Sequence, residues 1–241
     1  MGQKIRPTGF RIGIMEEWKS QWYASKQDFS DLLVEDAKIR RFIAKYLTRK
    51  QSRTEQRPGI SKIRIERTRE KVVITIHSSR VGMIIGKKGE NIDKLTKALE
   101  DLTHRHIEVK TVEVNRPETD AQLISEDIAE QLQKRASFRR TMKQAITKAM
   151  ENGARGVKVQ LSGRLGGSEM ARCEKAMDGS IPLSTLRTRV EYGFSEASTP
   201  QGNIGIKVWV NNGDYLTEES GDGANAQARQ VPKKSTRPGK R

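Results

Sequence analysis

Between Asp28 and Leu47 the apolar residues Phe29, Leu32, Leu33, Ala37, Ile39, Ile43 and Leu47 recur at close to helical spacing. This predicts a helix with one buried stripe, and Asp28 or Ser30 is placed to cap it. The polar, basic stretch that follows closes on Pro58-Gly59, a turn signal. Ile60, Ile63 and Ile65 then lead through a polar connection at 66–71 into Val72-Val73-Ile74-Thr75-Ile76, a pair of predicted strands. Met83-Ile84-Ile85 predicts a short helix ahead of Gly86-Lys87-Lys88-Gly89, and Ile92, Leu95, Leu99 and Leu102 mark the stripe of a further helix. From His106 to Val114 the pair Ile107/Val109 falls out of phase with Val112/Val114, which predicts a strand bulged near Thr111.

Asn115-Arg116-Pro117 marks a domain boundary, because proline and its predecessor both resist a helix. Beyond it the pattern predicts helices over 120–134 and 137–152, the second stopped by Gly153. A strand near Val157–Ser162, a glycine turn at Gly163–Gly167, a helical piece through Met170 and Cys173, and strands near Thr188–Phe194 and Asn203–Val210 complete the second unit. The resulting class is α/β (α+β) with two separate layered domains. The expected divisions are an N-terminal arm at 1–27, domains at 28–115 and 118–216, and a tail at 217–241 too poor in apolar residues to bury a core. The arm combines Trp18, Trp22 and Tyr23 with glycines and basic residues, which predicts ordering against a partner.

Charge narrows the class of partner. Of 241 residues 46 are Lys or Arg and 30 are Asp or Glu, a net charge of +16. That excess attracts polyanions and is the expected footprint of a nucleic-acid binder. Membrane association is disfavoured by a mean hydropathy of −0.74 and by the lack of any apolar stretch near the roughly 20 residues a span needs. No secretory leader is visible at Met1–Pro7, and the single cysteine, Cys173, fits a reducing, cytoplasmic setting.

Two constellations carry candidate chemistry. In the first, Gly86-Lys87-Lys88-Gly89 joins backbone free of Cβ atoms to positive charge at a helix start, the layout of the G-x-x-G loop that clamps nucleic-acid backbone in KH domains. Alone it reads more readily as a helix cap or tight turn with solvated lysines. The second lies between Leu132 and Met150, which hold no acid while Lys134, Arg135, Arg139, Arg140, Lys143 and Lys148 are present. At about 100° per residue, Phe138, Met142, Ala145 and Ala149 share one face and Arg139, Arg140 and Lys143 another. A merely solvated helix usually mixes glutamates among its lysines, so the missing counter-charges favour a phosphate-binding role. Gly163–Gly167 with Arg164 fits either a phosphate approach or a tight connection.

Enzymatic readings lack residues. Gly82–Lys87 has three residues between its glycines where a P-loop has four, and Lys88 stands where Ser or Thr is needed. His77, His104 and His106 with one distant cysteine do not make a zinc set, so no metal or cofactor is expected; His104 and His106 are expected to alternate at a strand start. Glu169 and Glu174 beside Cys173 oppose a reactive thiolate. A free-standing KH regulator or chaperone of RNA is the main alternative to a particle-bound protein.

Five segments, MGQKIRPTGFRIGI, IIGKKGENIDKL, FRRTMKQAI, VQLSGRLGGSEMAR and IGIKVWV, resemble in sequence and order the bacterial-type small-subunit ribosomal protein three family. The resemblance runs from Met1 to about Leu216, and the Arg49–Gly59 stretch looks longer than the family's. It implies a type II KH domain followed by a separate α/β domain, in the head of the small ribosomal subunit. It also implies contacts with ribosomal RNA and with the messenger RNA where it enters. By motif, Arg135, Arg139, Arg140 and Lys143 would face incoming message, and Gly86, Lys87, Lys88 and Gly89 would form the KH loop. Lys4, Arg6 and Arg11 of the arm, with Gly163, Arg164, Gly166 and Gly167, would touch ribosomal RNA. Neighbours would be head proteins resembling ribosomal proteins ten and fourteen, and channel proteins resembling four and five.

Overall fold

The computed structural model describes residues 4–50, 58–68 and 71–215. The arm begins with the single-turn helix α1 (Pro7–Arg11) and the two-residue strand β1 (Ser20–Gln21). Next comes α2 (Phe29–Lys50), on which Ile39, Ile43 and Leu47, four residues apart, turn to one side and are buried. They pack in one cluster with Ile65 of β2 (Ile60–Arg67), with Val72, Ile74 and Ile76 of β3 (Lys71–Ser78), and with Ile107 of β4 (His106–Glu113). Ile84 of α3 (Val81–Ile85) and Leu95 and Leu99 of α4 (Glu90–Thr103) complete this core. Each fully buried side chain of this size contributes about 1.5–3 kcal/mol relative to exposure.

Strand order is β1-β2-β3-β4, with β2 antiparallel to β3 and β3 parallel to β4. The chain therefore runs helix, strand, strand, short helix, glycine loop, helix, strand, the type II KH order expected above. Two local expectations are corrected. The first is the bulge at Thr111. β4 pairs with β3 without a shift from Lys71↔His106 to Ser78↔Glu113. Val112 falls out of phase because it lies on an edge strand and is 41% exposed. The second is the upper part of the α2 stripe, where Phe29 and Leu33 are half-exposed and lie outside the core cluster.

The second core belongs to α5 (Ala121–Gln133), α6 (Phe138–Glu151) and a sheet of β5 (Gly156–Gly163), β6 (Arg172–Gly179), β7 (Thr188–Thr199) and β8 (Gly202–Asp214). All pairs in it are antiparallel, in the order β6-β5-β8-β7. Val157, Val159 and Leu161 stand beside Val210, Val208 and Ile206, and this face meets Ile124, Ile128, Met142 and Ile146 from the helices. Gly193 lets α5 lie directly on β7, since a Cβ there would stand 2.0 Å from the Ala121 carbonyl oxygen. The helical piece expected through Met170 and Cys173 is instead the edge strand β6, with Cys173 paired to Ser162.

The two cores are tied together at Asp120. One carboxylate oxygen caps α5, accepting from the amides of Gln122 at 2.9 Å and Leu123 at 3.1 Å. The other accepts from the Ser61 hydroxyl on β2. The arm spans both units as well, although Trp18 and Tyr23 stay exposed on it. Ser20 and Gln21 pair in parallel with Ile65 and Glu66, and Arg40 of α2 donates to the Lys19 carbonyl at 2.9 Å and the Ser20 hydroxyl at 2.8 Å. The tail expected at 217–241 and positions 51–57 of the Arg49–Gly59 stretch lie outside the described residues.

Candidate nucleic-acid interface

On α6 the sequence folds as its period dictates. Thr141, Met142, Ile146 and Ala149 are buried, with Phe138 and Ala145 packed at the margin of the core. Arg139, Arg140 and Lys143 stand on the exposed face, as the 100° spacing placed them. None of the three has an ion-pair partner among the described residues. Lys134, just upstream, is held by Glu130 at 2.8 Å. A row of exposed cations without ion-pair partners among the described residues is open to an external polyanion.

Arg135 adds a backbone observation. It follows the end of α5 with φ 60°, in the left-handed region that glycine normally fills at this point. Its amide donates to the Leu132 carbonyl at 3.0 Å and that of Ala136 to Gln131 at 3.0 Å, which closes the helix. An arginine here costs about 1 kcal/mol relative to glycine. It places an exposed guanidinium at the junction of α5 and α6.

At the start of α6 the ring of Phe138 is approached by two guanidiniums, Arg139 at 5.6 Å from its centroid and Arg172 at 5.5 Å. Arg172 opens β6 and escaped the sequence reading, which placed a helix there. The ring also borders the glycine turn, 3.8 Å from where a Cβ of Gly166 would lie. Two of the predicted patches, α6 and Gly163–Gly167, are thus brought together. Arg164 itself is half committed to its own chain: Nε donates to the Ser168 carbonyl at 2.9 Å and one terminal nitrogen to Gln201 at 3.1 Å. Its contribution is to pin the turn to the β7–β8 hairpin.

The KH loop lies in the other unit. Gly86 has φ 74° and ψ −173°, Lys88 φ 53° and Gly89 φ 82°, so the chain reverses through left-handed geometry into α4. A Cβ on Gly86 would stand 2.3 Å from the side-chain nitrogen of Asn91, so any larger residue there must displace Asn91 as well as adopt a positive φ. Lys88 is exposed. Glu90 and Asp93 lie in the first turn of α4 and compete with an incoming phosphate for its positive end.

In the arm, Lys4 and Arg6 are exposed, and Arg6 reaches over the Tyr192 ring at 5.7 Å. Arg11 is a correction. It is fully buried, and its guanidinium donates to the carbonyls of Thr188 (2.8 Å), Thr185 (2.8 Å), Pro7 (3.1 Å) and Pro182 (3.4 Å). With its donors spent on backbone it is not a ribosomal-RNA ligand. The histidines also separate. His104 caps α4 in left-handed geometry, His106 pairs with Glu100 at 3.0 Å, and burial together with Lys62 and Arg64 pushes the imidazolium form of His77 down.

The family models divide the chain as its cores do. A KH domain matches residues 38–119, and the C-terminal domain of ribosomal protein S3 matches 128–210. The class is thereby defined: a KH-domain RNA-binding protein joined to a ribosomal-type α/β domain. The relative in Rhodopirellula baltica called small ribosomal subunit protein uS3 is 54% identical over the whole of both chains. Its namesake in Alkaliphilus oremlandii is 49% identical over 90% of this chain and 88% of that one, and that of Clostridium novyi 51% over 90% and 95%. The chain belongs to the small ribosomal subunit protein uS3 family. That membership sets aside the enzymatic readings. No helix of the described residues is long and apolar enough to cross a membrane.

Proposed function

We propose that this protein is a structural constituent of the head of the small ribosomal subunit in the cytoplasm, bound to ribosomal RNA and lining the channel through which messenger RNA enters. Its partners are small-subunit RNA, the message, and neighbours resembling ribosomal proteins ten and fourteen in the head and four and five at the channel. The observation that carries the reading is the exposed, acid-free face of α6, on which Arg139, Arg140 and Lys143 lack ion-pair partners among the described residues. Arg135 extends it toward α5.

Fixed cations of this kind hold RNA by its phosphates, and phosphate contacts carry no sequence information. That suits a channel which must pass every message. Translocation driven elsewhere pulls the strand, while Arg139, Arg140 and Lys143 keep its backbone engaged and oppose re-pairing of a hairpin. The KH loop at Gly86–Gly89, the exposed Lys4 and Arg6, and the turn around Gly166 and Gly167 are the contacts with ribosomal RNA that seat the protein.

The test compares ribosomes carrying Arg139→Ala, Arg140→Ala and Lys143→Ala together with the parent on two messages, one with a stable hairpin and one unstructured. Slower translation confined to the hairpin message is expected. Equal speed ratios on both messages overturn the reading.

A further inference from the structure

Arg172 lies where the α6 face, the glycine turn and the edge of the second sheet meet. On β6 it shares a face with Glu174 and Ala176, and Ala176 packs on the helix-side core. Opposite it on β5 is Gly163, so no neighbouring side chain covers it on that strand. Its guanidinium lies over the Phe138 ring that also carries Arg139, which leaves the two cations no more than about 11 Å apart. Its one ionic contact among the described residues is a loose one, Nε to Glu174 at 3.8 Å with the two side chains 48% and 36% exposed. Such a pair contributes little in water and yields to a better anion.

We infer that Arg172 is the next phosphate contact of the message track: a single RNA strand leaving Arg139 crosses the edge of Phe138 and is held again by Arg172, with Glu174 as an internal competitor for that guanidinium. Phe138 orients both cations, and arginine's planar fork suits phosphate oxygens. The inference rests on the channel reading above and extends it from one helix face to two elements.

The competitor makes the test directional. Arg172→Ala removes the contact and lengthens the pause at a message hairpin, by about two- to five-fold for a partly exposed charge contact. Glu174→Gln releases the guanidinium and shortens the pause. Both variants are read in ribosomes on the hairpin and unstructured messages, beside the Arg139/Arg140/Lys143 triple variant. Subunit assembly and thermal stability of the free protein are measured in parallel. Opposite signs, confined to the hairpin message, support the inference. Equal signs with matching losses of thermal stability make Arg172–Glu174 a structural pair and overturn it. Loss of assembly with an unchanged hairpin ratio assigns the phosphate to ribosomal RNA and also overturns it. If the triple variant is itself silent, the channel reading falls first; if only Arg172→Ala is silent, that reading stands and this extension fails.

Discussion

Arg11 donates its Nε–H to the carbonyl of Thr188 at 2.8 Å, joining the first turn of the chain to β7 across 177 positions. Nearby, the Tyr215 hydroxyl donates to Glu16 at 3.3 Å, and burial together with Glu16 pushes the Tyr215 phenol up to about 12. The arm is thus locked to the second domain at one end and adds a strand to the KH sheet at the other. A positively charged arm that looks available to RNA is, at Arg11, a strap.

Arg11→Ala leaves four carbonyls without this donor and opens a cavity beneath α1. The expected loss is about 2–4 kcal/mol in urea unfolding. Arg11→Lys does not restore it, because a single ammonium cannot reproduce the planar fork. Hydrogen exchange at Ser20 and Gln21 should rise in both variants if the strap holds the arm as a unit; unchanged protection there would count against it.

Gly86→Ala and Gly89→Ala differ in backbone angle as well as in space: Gly86 (φ 74°, ψ −173°) lies in a region kept for glycine, Gly89 (φ 82°, ψ 0°) in the ordinary left-handed one. Both positions have positive φ, but only at Gly86 does a Cβ collide, with Asn91; at Gly89 it would meet Ile92 Cγ2 at 4.0 Å. Gly89→Ala should cost about 1 kcal/mol and Gly86→Ala more than that. Thermal unfolding of the two variants checks the order, and equal losses would refute it.

Salt dependence counts the phosphate contacts on α6. For single-stranded RNA each one contributes about 0.7 to the slope of log K against log salt. Replacing Arg139, Arg140 and Lys143 by alanine should flatten that slope by about 2 in titrations of the free protein. A weaker affinity with an unchanged slope would mean that the three act through structure instead of charge.

Glu191 on β7 gives a pH signature. Burial first, and Asp120 next, push its carboxyl above the ordinary range, with Arg189 at 3.1 Å pulling part of the way back. The folded state therefore holds this proton more tightly than the unfolded chain does. The stability it contributes is present below the ordinary carboxylate range and is lost as pH rises through the folded value. Glu191→Gln should be more stable than the parent at neutral pH, by a margin that closes toward pH ~4. A margin independent of pH would refute this assignment.

The α6 face was legible before the fold was known, because helical period is a local property and the missing acids can be counted along the chain. Arg172 was not. Its strand, Arg172–Gly179, lies at a sheet edge where only Ala176 packs on the core, so burial imposes no apolar alternation along it. Its meeting with Phe138 depends on the pairing of β6 with β5 and the packing of α6 against that sheet.

By itself the sequence determined the element order of the KH unit, that of the second unit except for β6, most of their buried residues, the glycine loop and the cationic face, since each follows from spacing within a dozen residues. Tertiary structure alone decided which arginines are free. Arg11 and Arg139 are chemically identical, and the acceptors that consume Arg11 are backbone carbonyls, which every residue carries and no motif marks. Folding brings four of them to Arg11 and gives Arg139 no ion-pair partner among the described residues. One therefore became a structural tie and the other a candidate contact for RNA.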